Sequence, residues 1–230
     1  MSSSTETRHR LKIIDKREIS HDVNLWIVEK PDGFTFTPGQ ASHISLDKDG
    51  FRDKDRPFTF TSLPGDPTLE FVIKTYPSHE GVTDELDDFK PGDHLLLEEP
   101  AGSIKYRGEG TFIAGGAGVT PFIPIFKQLF ADNQIGNNRL FFANEKAEDV
   151  FLKTEFDRWL GDNAIYVLSD EDAPFAERGK IDRGFLQQHC SAFDQQFWYL
   201  CGPPQMGPDI KNTLIELGAD PEKIVHEDWS

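Results

Sequence analysis

The chain has 230 residues, of which 37% are hydrophobic and 12% aromatic, and 24 Lys and Arg stand against 40 Asp and Glu for a formal net charge of −16. This much apolar content excludes a disordered chain, and the charge works against binding nucleic acid or an anionic membrane surface. Two cysteines are too few for a disulfide framework, a four-thiolate zinc site or an iron–sulfur cluster, so no metal site is expected.

Up to about residue 99 the apolar stretches are short, at 11–14, 24–28, 43–46, 57–62, 69–76 and 94–97, and each reads as a strand. Between them lie turn signals such as Pro31-Asp32-Gly33, Pro38-Gly39, Pro64-Gly65-Asp66 and Pro91-Gly92-Asp93. Short strands at this spacing predict a small antiparallel Greek-key β-barrel, with a short helix within 81–89. After 101–110 the pattern changes. Strands are predicted at 111–114, 139–143, 164–168, 197–200 and 224–229, and helices at 119–130, 148–160, 182–189 and 204–217. Buried strands alternating with amphipathic helices predict an α/β doubly wound, parallel five-stranded sheet that binds nucleotides at its strand carboxyl ends. The expected boundary gives two domains, 1–107 and 108–230, with a cleft between them. No window approaches the roughly 18 apolar residues of a membrane-spanning helix, and the first ten residues are polar, so the chain reads as cytoplasmic.

Four segments carry chemistry. In the first, a strand ending at Gly115 runs through Gly116, Ala117 and Gly118 to Thr120 and Pro121 at a helix start. Glycines let the backbone approach an anion while the free amides and dipole of the helix face it, and proline at the first turn sacrifices no hydrogen bond. In the second, Cys201-Gly202-Pro203-Pro204-Gln205-Met206 repeats the order strand, glycine turn, proline, helix. A doubly wound sheet would bring these two turns to flank one ligand. The third, Arg56-Pro57-Phe58-Thr59, lies on a barrel strand, where a guanidinium can clamp phosphate and a hydroxyl can bond a heterocycle edge. The fourth runs from the strand 69–76 through Gly81-Val82-Thr83 into a helix start, a second place for phosphate. Against these stand plainer readings of a tight turn, a surface arginine and an N-cap.

Taken together and in this order, the four segments resemble the ferredoxin-NADP reductase superfamily, in particular its compact NADH-dependent reductases without an iron–sulfur domain. That family carries Arg-x-Tyr-Thr/Ser and Gly-x-x-Ser/Thr for the flavin, Gly-x-Gly-x-x-Pro for the nicotinamide dinucleotide, and Cys-Gly-Pro-Pro-x-Met near the nicotinamide. The resemblance implies that the barrel binds FAD, with FMN left open, and that the α/β domain binds NADH or NADPH as hydride donor. It also implies that electrons pass to a separate acceptor: ferredoxin or flavodoxin, a haem protein or an oxygenase. A reductase of free flavin, or an electron-transfer subunit of a larger complex, are the alternatives.

Carried over, Arg56 holds the flavin phosphates, Phe58 packs on the ring, and Thr59 sits at the flavin N5 edge, with Pro57 a further cofactor-binding position on the same strand. Phe58 stands where the family has Tyr, keeping the ring face without the hydroxyl. Ile73, Lys74, Thr75 and Tyr76 match the next flavin strand, and Gly81, Val82 and Thr83 the phosphate turn. Gly115, Gly116, Ala117, Gly118, Thr120, Pro121, Cys201, Gly202, Pro203 and Met206 match the dinucleotide site. Thr59, Cys201 and Glu227 are the expected catalytic residues, with Trp229 beside the flavin. Glu145 after the second α/β strand disfavours a ribose phosphate while Lys146 attracts one; with no arginine pair nearby, NADH is the expected donor.

Overall fold

The structure is a computed structural model that describes residues 8–75 and 81–227. The chain divides into two compact units, Met1–Gly102 and Ser103–Ser230.

In the first unit, strands β1 (His9–Ser20), β2 (Val23–Glu29), β3 (Ala41–Leu46), β4 (Asp55–Thr59), β5 (Thr68–Lys74) and β6 (His94–Leu97) form one antiparallel sheet. Their order is β4-β3-β6-β1-β2-β5, and an antiparallel bridge from Phe60, just past β4, to Phe71 in β5 links the two edges. Alternation drives the core, since Leu11 and Ile13 are buried while Lys12 and Ile14 are exposed. Phe60 is the hub. It is fully buried, stacks on Phe36 with ring centroids 4.4 Å apart, and meets Phe71 at 5.2 Å. Burial of one such side chain stabilises by about 1.5–3 kcal/mol. β1 runs well past the apolar stretch 11–14, because its outer half pairs with β2 through polar residues and bulges that carry no apolar signal. The helix α1 (Val82–Asp87) seals the barrel with Val82 and Leu86.

In the second unit the elements alternate: β7 (Gly110–Gly115), α2 (Phe122–Ala131), β8 (Arg139–Asn144), α3 (Lys153–Leu160) and β9 (Ala164–Leu168), followed by β10 (Ala176–Arg178), α4 (Arg183–His189), β11 (Phe197–Cys201), α5 (Met206–Glu216) and β12 (Ile224–His226). All pairs are parallel, in the order β10-β9-β8-β7-β11-β12. The chain works outward from β7 to β10 and then returns to the other side of β7 with β11, so the topological switch point lies between β7 and β11. The sheet has a sixth strand beyond the expected five. β10 is three residues, Ala-Glu-Arg, and lacks the apolar run that marks a strand in sequence. Among the described residues, no helix is long and apolar enough to cross a membrane.

Candidate functional site

β7 and β11 are neighbours in register, with Ala114 opposite Cys201, so their carboxyl ends deliver two loops side by side. The loops touch through glycine. A Cβ on Gly118 would lie 2.5 Å from the Cys201 carbonyl oxygen, and one on Gly115 would lie 2.6 Å from Met206 Sδ and 2.8 Å from Pro203 Cδ. Gly202 also approaches the Gly115 amide nitrogen, at 3.1 Å for its missing Cβ. Gly116 differs: its Cβ position is open, and glycine is needed because its φ is +51°. The Thr120 hydroxyl donates to the Ala117 carbonyl at 2.9 Å, tightening a 3-10 turn (Gly116–Val119) that leads through Pro121 into α2. The leading amides of such a turn have no intrahelical acceptor and offer themselves to an anion.

The next strand end adds residues that motif matching does not find. The Asn144 side-chain Nδ2, at the carboxyl end of β8, is buried without a hydrogen-bond partner. A buried donor left unpaired costs about 1–3 kcal/mol, so it calls for a ligand acceptor. Beyond it, the segments after β8 and β9 are zipped together. Ser169 N–H donates to Asn144 O at 3.0 Å, Asp170 N–H to Glu145 O at 2.9 Å, and Ala147 N–H to the Glu171 carboxylate at 2.8 Å. Glu145 is therefore joined at this edge by Asp170 and Glu171, while Lys146 lies 3.7 Å from Glu148. Position directly after a parallel strand was the available signal for Asp170 and Glu171.

Cys201 ends β11, and burial pushes its thiol well above the usual range, with the nearby Glu227 charge adding to the rise. The rise favours the protonated thiol over the reactive thiolate. The Glu227 carboxyl is itself raised by burial. Trp229 lies outside the described residues.

In the first unit, Arg56 and Pro57 are exposed, Phe58 is half-buried against the barrel core, and Thr59 is buried. The Arg56 guanidinium donates to the Asp55 carbonyl at 2.7 Å. Ile73 and Val82 point into the barrel core, so only their main chain is available to a ligand. Lys74 pairs with Asp22 at 2.9 Å, and Thr75 bonds the Asp22 carbonyl through both its amide, at 2.8 Å, and its hydroxyl, at 3.2 Å. Gly81 caps α1 with extended backbone and no side-chain bond, and Thr83 is half-buried in the first turn. Tyr76 lies outside the described residues.

Residues 10–106 match the oxidoreductase FAD-binding domain family and residues 112–212 the oxidoreductase NAD-binding domain family. Barrel, switch-point sheet and paired glycine loops thus define an FAD- and NAD-binding oxidoreductase module. The chain is 26% identical to nitrate reductase [NAD(P)H] of Hordeum vulgare over 93% of its own length and 28% of that protein's. It is equally 26% identical to NADH-cytochrome b5 reductase 2 of Mycosarcoma maydis, over 89% of the chain and 68% of the relative. In fold it is similar to the flavohem-like FAD/NAD binding domain of nitric oxide dioxygenase from Vibrio cholerae, with a TM-score of 0.85 at 21% identity, covering 96% and 98% of the two chains. The ferredoxin NADP+ reductase of Neisseria gonorrhoeae, solved with FAD and NADP bound, gives a TM-score of 0.82 at 19% identity, covering 97% and 99%. The chain thus carries an oxidoreductase FAD-binding domain followed by an oxidoreductase NAD-binding domain, and it shares the fold of the ferredoxin NADP+ reductase. It spans about a quarter of the Hordeum nitrate reductase that it matches.

Proposed function

We propose that the protein oxidises NADH, holds FAD on its barrel, and delivers the electrons to a separate acceptor. The observation that carries this reading is the switch point: two glycine loops in backbone contact, flanked by an orphaned Asn144 amide, form a cradle suited to a dinucleotide. The domains are read as 1–107 for the flavin and 108–230 for the dinucleotide. Flavin, when bound, accepts two electrons together and releases them singly.

The chain's own residues bind and orient. The loops 115–121 and 201–206 cradle the dinucleotide, the Cys201 thiol ends β11, and Glu227 follows the neighbouring β12. On the barrel, Arg56, Phe58, Thr59, the main chain of 73–76 and the turn 81–83 hold the flavin. Trp229 is assigned beside the flavin by the family resemblance alone. The carboxylates Glu145, Asp170 and Glu171 select a free ribose hydroxyl over a phosphate by repulsion. NADPH is the competing donor, favoured by Arg178 at the end of β10, opposite Leu168 in the register.

Anaerobic titration of the purified protein with each dinucleotide, followed by the absorbance of oxidised flavin, tests donor and cofactor together. Bleaching by NADH at lower concentration than by NADPH is expected. A protein that takes up no flavin, or whose flavin neither donor bleaches, overturns the reading. The NADH-cytochrome b5 reductases among the relatives point to a haem-type acceptor, and the greater length of the nitrate reductases favours an electron-transfer subunit of a larger assembly. Comigration with a fixed large partner from native extract distinguishes the subunit from a free-standing enzyme. We assign the protein to the cytoplasm, a reading supported by its two unpaired cysteines.

A further inference from the structure

His226 ends β12 opposite Leu200, one residue before Cys201 on the neighbouring strand, and Glu227 follows it. This short strand ends in a dense set of polar contacts. His226 Nδ1 lies 2.6 Å from the Glu227 carbonyl oxygen, its Nε2 lies 2.7 Å from Lys211 Nζ on α5, and its own carbonyl accepts the Ser103 hydroxyl at 2.9 Å. The chemistry of the partners fixes the ring. A carbonyl oxygen only accepts, so Nδ1 carries hydrogen; an ammonium only donates, so Nε2 presents its lone pair. One state satisfies both contacts, the neutral Nδ1–H imidazole.

We propose that Lys211 and His226 are positioning residues that lock the main chain at Glu227 and so hold this carboxyl beside Cys201. The proposal rests on the reading of this strand end as part of the dinucleotide site. The His226 ring clamps the peptide of the next residue, and Lys211 clamps the ring from the helix that begins just after the Cys201 loop. Glu227 is thereby tied to α5, the same element whose Met206 packs against Gly115.

Three measurements test this. In flavin-free protein, 15N NMR of the imidazole is expected to show the Nδ1–H tautomer with an unprotonated Nε2 at neutral pH; an Nε2–H tautomer or an imidazolium overturns the proposal. In a C190A background, Lys211→Met is expected to speed alkylation of Cys201 by a maleimide roughly tenfold, because release of the neighbouring segment uncovers the thiol, and Lys211→Arg, which still donates, is expected to restore the slow rate. An unchanged rate in Lys211→Met, or no rescue by arginine, overturns it. In the flavin-loaded enzyme, Lys211→Met is expected to lower kcat roughly tenfold with little change in KM for NADH. Should the protein fail to bind any dinucleotide, the functional reading falls, whereas the tautomer and alkylation results still decide whether the lock exists.

Discussion

Gly118 shows how close contact rather than chemistry dictates a residue. Alanine there drives a methyl group into the Cys201 carbonyl and the Gly202 Cα, both main-chain atoms that cannot swing aside. Gly118→Ala is expected to cost about 1–3 kcal/mol in chemical denaturation and to weaken NADH binding roughly tenfold by parting the two loops. Glu227 gives a prediction with a sign. Burial raises its carboxyl above the value it has in the unfolded chain. Below the unfolded value both states keep the proton and nothing is lost; as pH rises, the unfolded chain ionises first, and stability falls until the folded group ionises too. Glu227→Gln is therefore expected to melt with the parent at acidic pH and above it at neutral pH, while turnover drops. A scan of Tm against pH checks this, and a Tm difference that grows toward acid contradicts it. At this scale the sequence showed the glycines and Cys201 through their motif, but not Asn144, Asp170, Glu171 or Lys211. Each of those is placed beside its neighbours by parallel pairing or helix packing, which no local pattern encodes.

Among the elements, legibility followed apolar periodicity. β7, β8, β9 and β11 are buried runs and lie close to where the sequence places them, whereas β10 and the outer half of β1 are polar, held by ladder hydrogen bonds and by polar side-chain contacts such as Lys16 to Asp87 and His189 to Glu177, and carry no apolar signal. α1 is only six residues, and Asp84 and Glu85 already answer the positive end of its dipole, so the flavin-phosphate role proposed for this turn rests on the extended Gly81 and on Thr83. α5 is anchored by Ile210 and Leu214 against the core that contains Trp198 and Leu200 of β11. Leu214 is fully buried, and Leu214→Ala is expected to cost about 2–5 kcal/mol by urea denaturation. Since α5 carries Lys211 and Met206, that variant should also speed Cys201 modification; unaltered protection would show that α5 keeps its seat without Leu214.

For the whole molecule, a net charge of −16 makes acceptor choice partly a matter of long-range field. A basic haem protein is expected to be reduced more slowly as salt rises, and an acidic one faster, over the range in which the screening length shrinks below about 10 Å. Identical rates at low and high salt would show that docking depends on a local patch instead. Both domain architectures were legible from turn spacing and from the alternation of strands and helices. The strand order within each sheet was not, because it depends on which distant segments meet.

The arrangement around β7 also bears on how the molecule is made. β7 and its glycine loop are made before the wall they need, β11, which follows only after three strands and the helices between them have been laid down. A nascent chain therefore carries half a binding cradle through that interval, with the flank of β7 bare. The two loops cannot meet before β11 is made, and a chain cut short before it would display the glycine signature without being able to close it around anything.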